Sequence, residues 1–81
     1  MIEKTVAISI PEGLIAKTST GIIKVANDYP CSIALVYGDR RVNAKSLLGV
    51  LSMGLKCGDT VQLVTNGDQE AEAADALSSL L

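Results

Sequence analysis

The residue with the clearest chemical potential is Ser46, which directly precedes an apolar block at 47–53. A serine at the start of a helix accepts a hydrogen bond from a backbone N–H, an effect of about 1 kcal/mol, and this structural role alone explains the residue. A phosphoryl group on the same oxygen would face free amides and the positive end of the helix dipole. Ser46 is therefore a candidate phosphorylation site whose modification would leave the fold intact.

The block after Ser46 is apolar around almost its whole circumference at helical spacing, with glycines and serines in the gaps. A short helix that lies on one sheet cannot bury every face. We expect Val50 and one leucine to complete the core. Some of the other apolar side chains should be exposed, and these are Leu47, Leu48, Leu51 and Met53. A contiguous exposed apolar patch on a small protein favours a protein-binding surface.

A second polar segment, 13–20, joins a predicted strand to a predicted helix and carries a lysine and three hydroxyl side chains. Such groups at a helix N-terminus can bind an anion. Serine and threonine are also ordinary caps, and that is the stronger interpretation for each residue taken singly. A phosphoacceptor role for Thr18, Ser19 or Thr20 is kept as an alternative.

Several kinds of catalysis lack the residues that they need. The chain has no histidine, so a serine or cysteine nucleophile has no imidazole base and a zinc site has too few ligands. No Gly-rich phosphate motif of the GxGxxG or GxxxxGK[ST] type occurs. Glu70, Glu72 and Asp75 fit the solvated face of a terminal helix better than an acid–base pair. We therefore expect a protein that is not an enzyme and that holds no cofactor or metal.

The composition is that of an ordinary globular protein, with 48% hydrophobic and 20% charged residues and a net charge of −2. That charge gives no footprint for nucleic acid, and the two tyrosines are too few for base stacking. No apolar run is long enough for a signal peptide or a membrane span, which favours the cytoplasm. Cys31 and Cys57 are interpreted as reduced, half-buried small hydrophobes.

The residues are positioned by seven predicted elements in the order βαββαβα. Alternating apolar residues predict strands at 5–10, 31–37, 40–44 and 60–65, with a tight turn between the two middle strands. Helical spacing predicts helices at 18–28, at 47–53 and after Asp68, which is the expected N-cap of the last helix. One sheet covered by helices on one face, a two-layer α+β fold, is the expected architecture of a single domain over 1–81.

The whole chain resembles the HPr family, the small phosphocarriers of the bacterial phosphoenolpyruvate-dependent sugar phosphotransferase system. The most specific segment is KSLLGVLSMGL at 45–55, which is similar, almost residue for residue, to that family's regulatory-serine motif. Gly13 and Leu14 match the start of the family's active-site motif. The resemblance covers about 3–80 and implies an open-faced sandwich of a four-stranded antiparallel sheet with helices on one face.

The chain departs from the family where the family carries its phosphorylated histidine. This position is Ile15, and the neighbouring arginine and proline correspond to Lys17 and Thr18. Isoleucine has no nucleophilic atom, so phosphoryl transfer cannot pass through it. Lys17 keeps the positive charge but lacks the bidentate fork that suits phosphate. Phosphocarrier activity is therefore not expected.

The resemblance implies regulation instead. The chain is similar in kind to the HPr-like catabolite-repression proteins, which lack the histidine but keep a serine modified by an HPr kinase/phosphorylase. The implied partners are such a kinase and a transcription regulator of the catabolite control type, with no direct contact with nucleic acid or membrane. The implied binding residues are Ser46, Leu47, Leu48 and Leu51, with Ile15, Lys17 and Thr20 as a rim.

Two alternatives stay open beside the phosphoacceptor of 18–20. A degenerate HPr domain could act as a constitutive adaptor through its apolar patch, with Ser46 only as a cap. An exposed sheet face could also pair two copies of the chain in a homodimer.

Overall fold

The computed structural model describes all residues 1–81 and contains seven elements in the order βαββαβα. The strands are β1 (Ile2–Ala7), β2 (Ser32–Tyr37), β3 (Arg40–Asn43) and β4 (Thr60–Asn66). The helices are α1 (Ala16–Asn27), α2 (Leu47–Ser52) and α3 (Glu70–Leu80). No helix has both the length and the apolar character that a bilayer crossing requires.

The four strands form one sheet in the order β1-β4-β2-β3, and each neighbouring pair is antiparallel. β2 and β3 are joined by a hairpin in which Tyr37 pairs with Arg40. The crossover through α2 places β4 in the middle of the sheet, where it pairs Val61 with Val6 of β1 and Leu63 with Leu35 of β2. The predicted α+β class, element order and antiparallel sheet are confirmed.

The alternation of the central strands decides which face of the sheet is covered. Every second residue of β2 and β4 enters a common core with side chains of all three helices, and the sheet contributes Ile33, Leu35, Val61 and Leu63. Leu63 is fully buried, so its truncation to alanine would cost roughly 2–5 kcal/mol. The opposite face carries exposed polar side chains such as Thr5, Gln62 and Arg41, so all three helices lie on one side.

Three predicted boundaries were wrong. β1 begins at Ile2 and ends at Ala7 because its hydrogen-bonding partner extends to Thr65, which pairs with Ile2. α1 begins at Ala16, two residues earlier than predicted. α3 is preceded by Gln69 in the left-handed conformation, with φ of 63°, so Asp68 is not its N-cap.

The cysteines also differ from the prediction that both are half-buried. Cys31 is buried in the core, and Cys57 is exposed in the turn before β4. The two cysteines are not bonded to each other in the structure. Cys31 therefore acts as a small core side chain, whereas Cys57 contributes nothing to packing.

Candidate functional site

Ser46 begins α2 in the conformation that a helix cap requires. Its backbone is extended, with φ of −109° and ψ of 118°, and its Oγ accepts a hydrogen bond from the Gly49 N–H at 3.3 Å. The predicted capping role is thus confirmed by geometry. At the other end of α2, the Arg40 guanidinium donates to the Ser52 carbonyl at 2.6 Å and to the Ser52 Oγ at 2.8 Å.

The residue before Ser46 is held by three hydrogen bonds. The Lys45 N–H donates to Asn43 Oδ1 at 2.9 Å, and its Nζ donates to the Tyr29 carbonyl at 2.7 Å. Its carbonyl accepts from Asn27 Nδ2 at 3.4 Å. The last two contacts fasten the start of α2 to Tyr29, just after α1, and to Asn27 at the end of α1. Sequence analysis missed these two contacts because Asn27 and Tyr29 lie far from Lys45 along the chain.

The apolar surface of α2 is divided between core and solvent. Leu48 is 82% exposed, Leu47 is 39% exposed and Leu51 is half-buried, whereas Val50 and Met53 are buried. Exposure of part of the block is confirmed. The expectation that one of its leucines is buried was wrong, because the core place is taken by Met53.

The start of α1 is built differently, because its N-cap residue is Ile15, which has no side-chain hydrogen-bond acceptor. The Ile15 N–H instead donates to Thr18 Oγ1 at 3.1 Å, and that hydroxyl donates to the Gly13 carbonyl at 2.6 Å. Ile15 is 46% exposed in an extended conformation, with φ of −96°. The position that begins the helix is thus accessible but offers no atom for phosphoryl transfer.

The residues at 18–20 belong to the first turns of α1 and not to the segment that leads into it. Ser19 is fully buried, and its Oγ has no hydrogen-bond partner. The Thr20 hydroxyl donates to the Ala16 carbonyl at 2.7 Å. Lys17 is exposed and forms no ion pair. Burial removes Ser19 as a phosphoacceptor in the folded protein. The hydroxyls of Thr18 and Thr20 both donate hydrogen bonds to backbone carbonyls.

The two groups of predicted binding residues lie on helices that pack against each other, since α1 contacts α2. Ile15, Lys17 and Thr20 come from the first turns of α1, and Leu47, Leu48 and Leu51 come from α2. Neither helix has an acidic residue in its first turn, so an anion at either start meets no carboxylate of that turn. No group of three or more metal-binding side chains comes together in the fold.

Residues 2–81 match the family described as the PTS HPr component phosphorylation site. The chain is 33% identical over 81 residues to the HPr-like protein Crh of Halalkalibacterium halodurans, covering 100% of this chain and 96% of that protein. It is also 36% identical over 80 residues to the phosphocarrier protein HPr of Treponema pallidum, covering 99% of this chain and 91% of that protein. Both subtypes of the family are therefore represented at similar identity.

Solved structures agree with the family. A phosphocarrier protein HPr from Bacillus anthracis has a TM-score of 0.96 at 29% identity, covering 99% of this chain and 95% of that one. The catabolite repression protein Crh of Bacillus subtilis, described as a swapped dimer, has a TM-score of 0.79 at 29% identity, covering 99% and 92% of the two chains. This chain belongs to the HPr family of phosphotransferase-system proteins, which are carriers and not catalysts.

Proposed function

We propose that this protein is a regulatory member of the HPr family that has no histidine phosphocarrier activity and is switched by phosphorylation of Ser46. One contrast supports the proposal: the start of α1 presents Ile15, in a chain without any histidine, while the start of α2 presents the Ser46 hydroxyl. A phosphohistidine cannot form on this chain. The remaining family position with a phosphorylatable oxygen is Ser46.

Phosphorylation of Ser46 changes the surface more than the fold. The phosphoryl group brings a charge of about −1.5 to −2 and three strong acceptor oxygens. It replaces a hydroxyl that accepts from Gly49 N–H, so its oxygens can take over that role at the positive end of the helix. The dianion would stand beside the exposed side chains of Leu47 and Leu48. A partner surface with a cationic side chain next to an apolar pocket would bind the phosphorylated form more tightly than the unmodified form.

The proposed partners follow from the catabolite-repression relatives. An HPr kinase/phosphorylase-type enzyme would modify Ser46, and a transcription regulator of the catabolite control type would bind the modified form. The binding surface is formed by Leu47, Leu48 and Leu51 of α2 with Ile15, Lys17 and Thr20 of α1. The dimeric Crh structure supports a homodimer as a further proposal, which native mass spectrometry tests directly.

The first experiment is intact-mass analysis after incubation with ATP and an HPr kinase. We expect one phosphate on the native chain and none on Ser46→Asn, which keeps a capping oxygen but lacks the hydroxyl. Ser79→Ala removes an exposed helical serine of α3 and should leave the modification unchanged. Phosphate on the Ser46→Asn protein would contradict the site, and no phosphate on any chain would sink Ser46 as the switch.

The second experiment compares binding of the catabolite-type regulator to the modified and unmodified protein. We expect Leu48→Ala to lower affinity for the modified form about tenfold or more, because Leu48 is the most exposed large side chain of α2. Leu80→Ala, which truncates a 39% exposed leucine on α3, is the matched control. Equal binding of the modified and unmodified protein would favour the constitutive adaptor instead.

A further inference from the structure

A second candidate site lies at the corner of the sheet where β2 begins and β3 ends. A groove of about 510 Å³ opens there, and its lining comes from the two strands and the segments that flank them. The lining residues used below are Ser32, Ala34, Arg41, Asn43 and Lys45. The volume lies within the usual range of about 300–1,000 Å³ for small-molecule sites and exceeds what one small ion needs.

The charge of this groove is opposite to that of the whole protein. The chain has seven basic and nine acidic residues, yet the groove is lined by Arg41 and Lys45 and by no acidic side chain. The two ion pairs of the structure lie elsewhere, so neither cation is neutralised by a carboxylate. Two cations without a counter-charge attract an anion that carries two negative groups.

The uncommitted polar groups of the groove are hydrogen-bond donors. Arg41 is exposed, and its guanidinium makes no hydrogen bond. The Asn43 Oδ1 already accepts from the Lys45 N–H, which leaves the Asn43 Nδ2 as the unused group. Lys45 Nζ uses one donor on the Tyr29 carbonyl and keeps two. Two cationic side chains with free donors, beside an amide donor, favour an anion over a cation.

The register of the sheet explains why the groove forms at this corner. Ala34 of β2 pairs with Asn43 of β3, and Val36 pairs with Arg41, so Asn43 stands beside the short side chain of Ala34 and Arg41 stands next along β3 on the same face. Ser32 at the start of β2 directs its hydroxyl to the Asn66 carbonyl, so it does not fill the space. The groove therefore opens beside the short side chain of Ala34, with the donors of Arg41 and Asn43 on the neighbouring strand.

We infer that this groove binds a small dianionic molecule whose charges are phosphate or carboxylate groups, with Arg41 as its principal contact. The bidentate fork of Arg41 suits either group, so the observations define the shared chemistry. The site is separate from the exposed surface of α1 and α2, since it is built on the sheet. The groove shares Lys45 with the segment that leads into Ser46, so it is tested on the unmodified chain.

The test is a ¹H–¹⁵N NMR titration of the whole unmodified chain at low ionic strength with pyrophosphate in one arm and the dicarboxylate succinate in the other. We expect saturable shifts of the Ser32, Arg41 and Asn43 amides in at least one arm, and the stronger arm identifies the preferred anion. Arg41→Gln should weaken binding about tenfold or more. Lys56→Gln removes an exposed cation outside the groove and should leave the affinity unchanged.

Three outcomes would overturn the inference. The first is the absence of saturable shifts in both arms. The second is equal affinity in the Arg41→Gln protein and the native chain. The third is a set of shifts confined to 15–20, which would place the anion at the start of α1. Lys45 is left unchanged in this test because its contact with the Tyr29 carbonyl also supports the fold.

Discussion

The starts of α1 and α2 solve the same physical problem with different residues. Each helix leaves backbone N–H groups without partners in its first turn. At α2 the Ser46 hydroxyl accepts from Gly49 N–H, so the cap is also the oxygen that a kinase could modify. At α1 the cap position is Ile15, and Thr18 satisfies the Ile15 N–H from inside the helix. A helix start can therefore lose its reactive side chain and still be a well-formed helix start.

The surroundings of the two starts also differ. Lys45 ties the backbone before Ser46 to the end of α1 through its side chain and its carbonyl. The start of α1 depends on backbone contacts with the segment before β4, where the Leu14 N–H donates to the Leu55 carbonyl at 2.9 Å. The first anchor consists of side chains that substitutions can remove singly. The second requires a particular backbone path.

The largest expected effect concerns the backbone path into α1. Gly13 has φ of 75°, and a Cβ there would lie 2.6 Å from the Leu55 carbonyl oxygen. Gly13→Ala should lower the free energy of unfolding by roughly 2–4 kcal/mol, measured by urea denaturation. Gly54→Ala, after α2, is the matched control because φ is also positive, at 60°, but nothing lies within 4 Å. Equal losses of unfolding free energy in both variants would show that the clash with the Leu55 carbonyl does not contribute to the destabilisation.

The next effect has the opposite sign and concerns the buried hydroxyl of α1. Ser19 Oγ is buried without a partner, and such a group costs roughly 1–3 kcal/mol of desolvation. Ser19→Ala should therefore raise the free energy of unfolding by about 1 kcal/mol. The same substitution at exposed Ser79 should change it by no more than about 0.5 kcal/mol. A clear loss of stability in Ser19→Ala would mean that the hydroxyl has a hydrogen-bond partner after all.

The caps themselves give a smaller, symmetric pair of effects. Ser46→Ala and Thr18→Val each remove a hydroxyl that satisfies a backbone N–H, and each should cost about 1 kcal/mol in thermal or urea unfolding. Ser46→Asn and Thr18→Ser keep a polar acceptor and should recover most of the loss. If only the Ser46 variants respond, the hydrogen bonds of Thr18 do not stabilise α1.

The smallest expected effect on stability concerns the start of α3. There the Glu70 carboxylate, and not a hydroxyl, accepts a hydrogen bond from a backbone N–H. The Met1 ammonium, hydrogen-bonded to Glu70, together with the Gly67 N–H, lowers the pKa of Glu70 below its ordinary value. A carboxyl with a lowered folded pKa stabilises the fold above its unfolded pKa, and this contribution is lost as pH falls through the folded pKa.

Glu70→Gln should abolish this part of the pH dependence. Near neutral pH the native chain should have a slightly higher Tm than the variant. This difference in Tm should become smaller below the ordinary pKa of the carboxyl, and scanning calorimetry measures it. Glu72→Gln, in the same first turn of α3 but without an ion pair, should follow the native profile. Parallel profiles for Glu70→Gln and Glu72→Gln would argue against any role of the Met1 contact.

Much of the fold was predictable because local patterns and tertiary contacts agree. Alternation marked the central strands, and the apolar spacing of Ile22 and Ala26 marked the covered face of α1. The predicted boundaries were wrong where pairing with a distant segment sets them. The length of β1, for example, follows from its pairing with β4. The predicted N-cap of the last helix was wrong for a local reason. The conformation of Gln69 depends on the turn that is closed by the hydrogen bond from the Gly67 N–H to the Glu70 carboxylate.

The candidate site was predictable in its identity but not in its exposure. Ser46 and the block after it are adjacent in the chain, so their spacing alone predicts a capped apolar helix. Which of its side chains reach solvent depends on how α2 packs, and Met53, not a leucine, entered the core. The burial of Ser19 likewise follows from the elements that pack on α1.

The amino-acid sequence by itself determined that this chain has no histidine and no Gly-rich phosphate motif, and that a serine precedes an apolar helix. These are properties of residue type and spacing, which do not depend on folding. Only the tertiary structure decided that Ser19 is inaccessible, that Lys45 holds the start of α2 against α1, and that Arg41 lines a groove free of acids. Burial and charge neutralisation depend on groups from distant parts of the chain, and the packed fold brings those groups together.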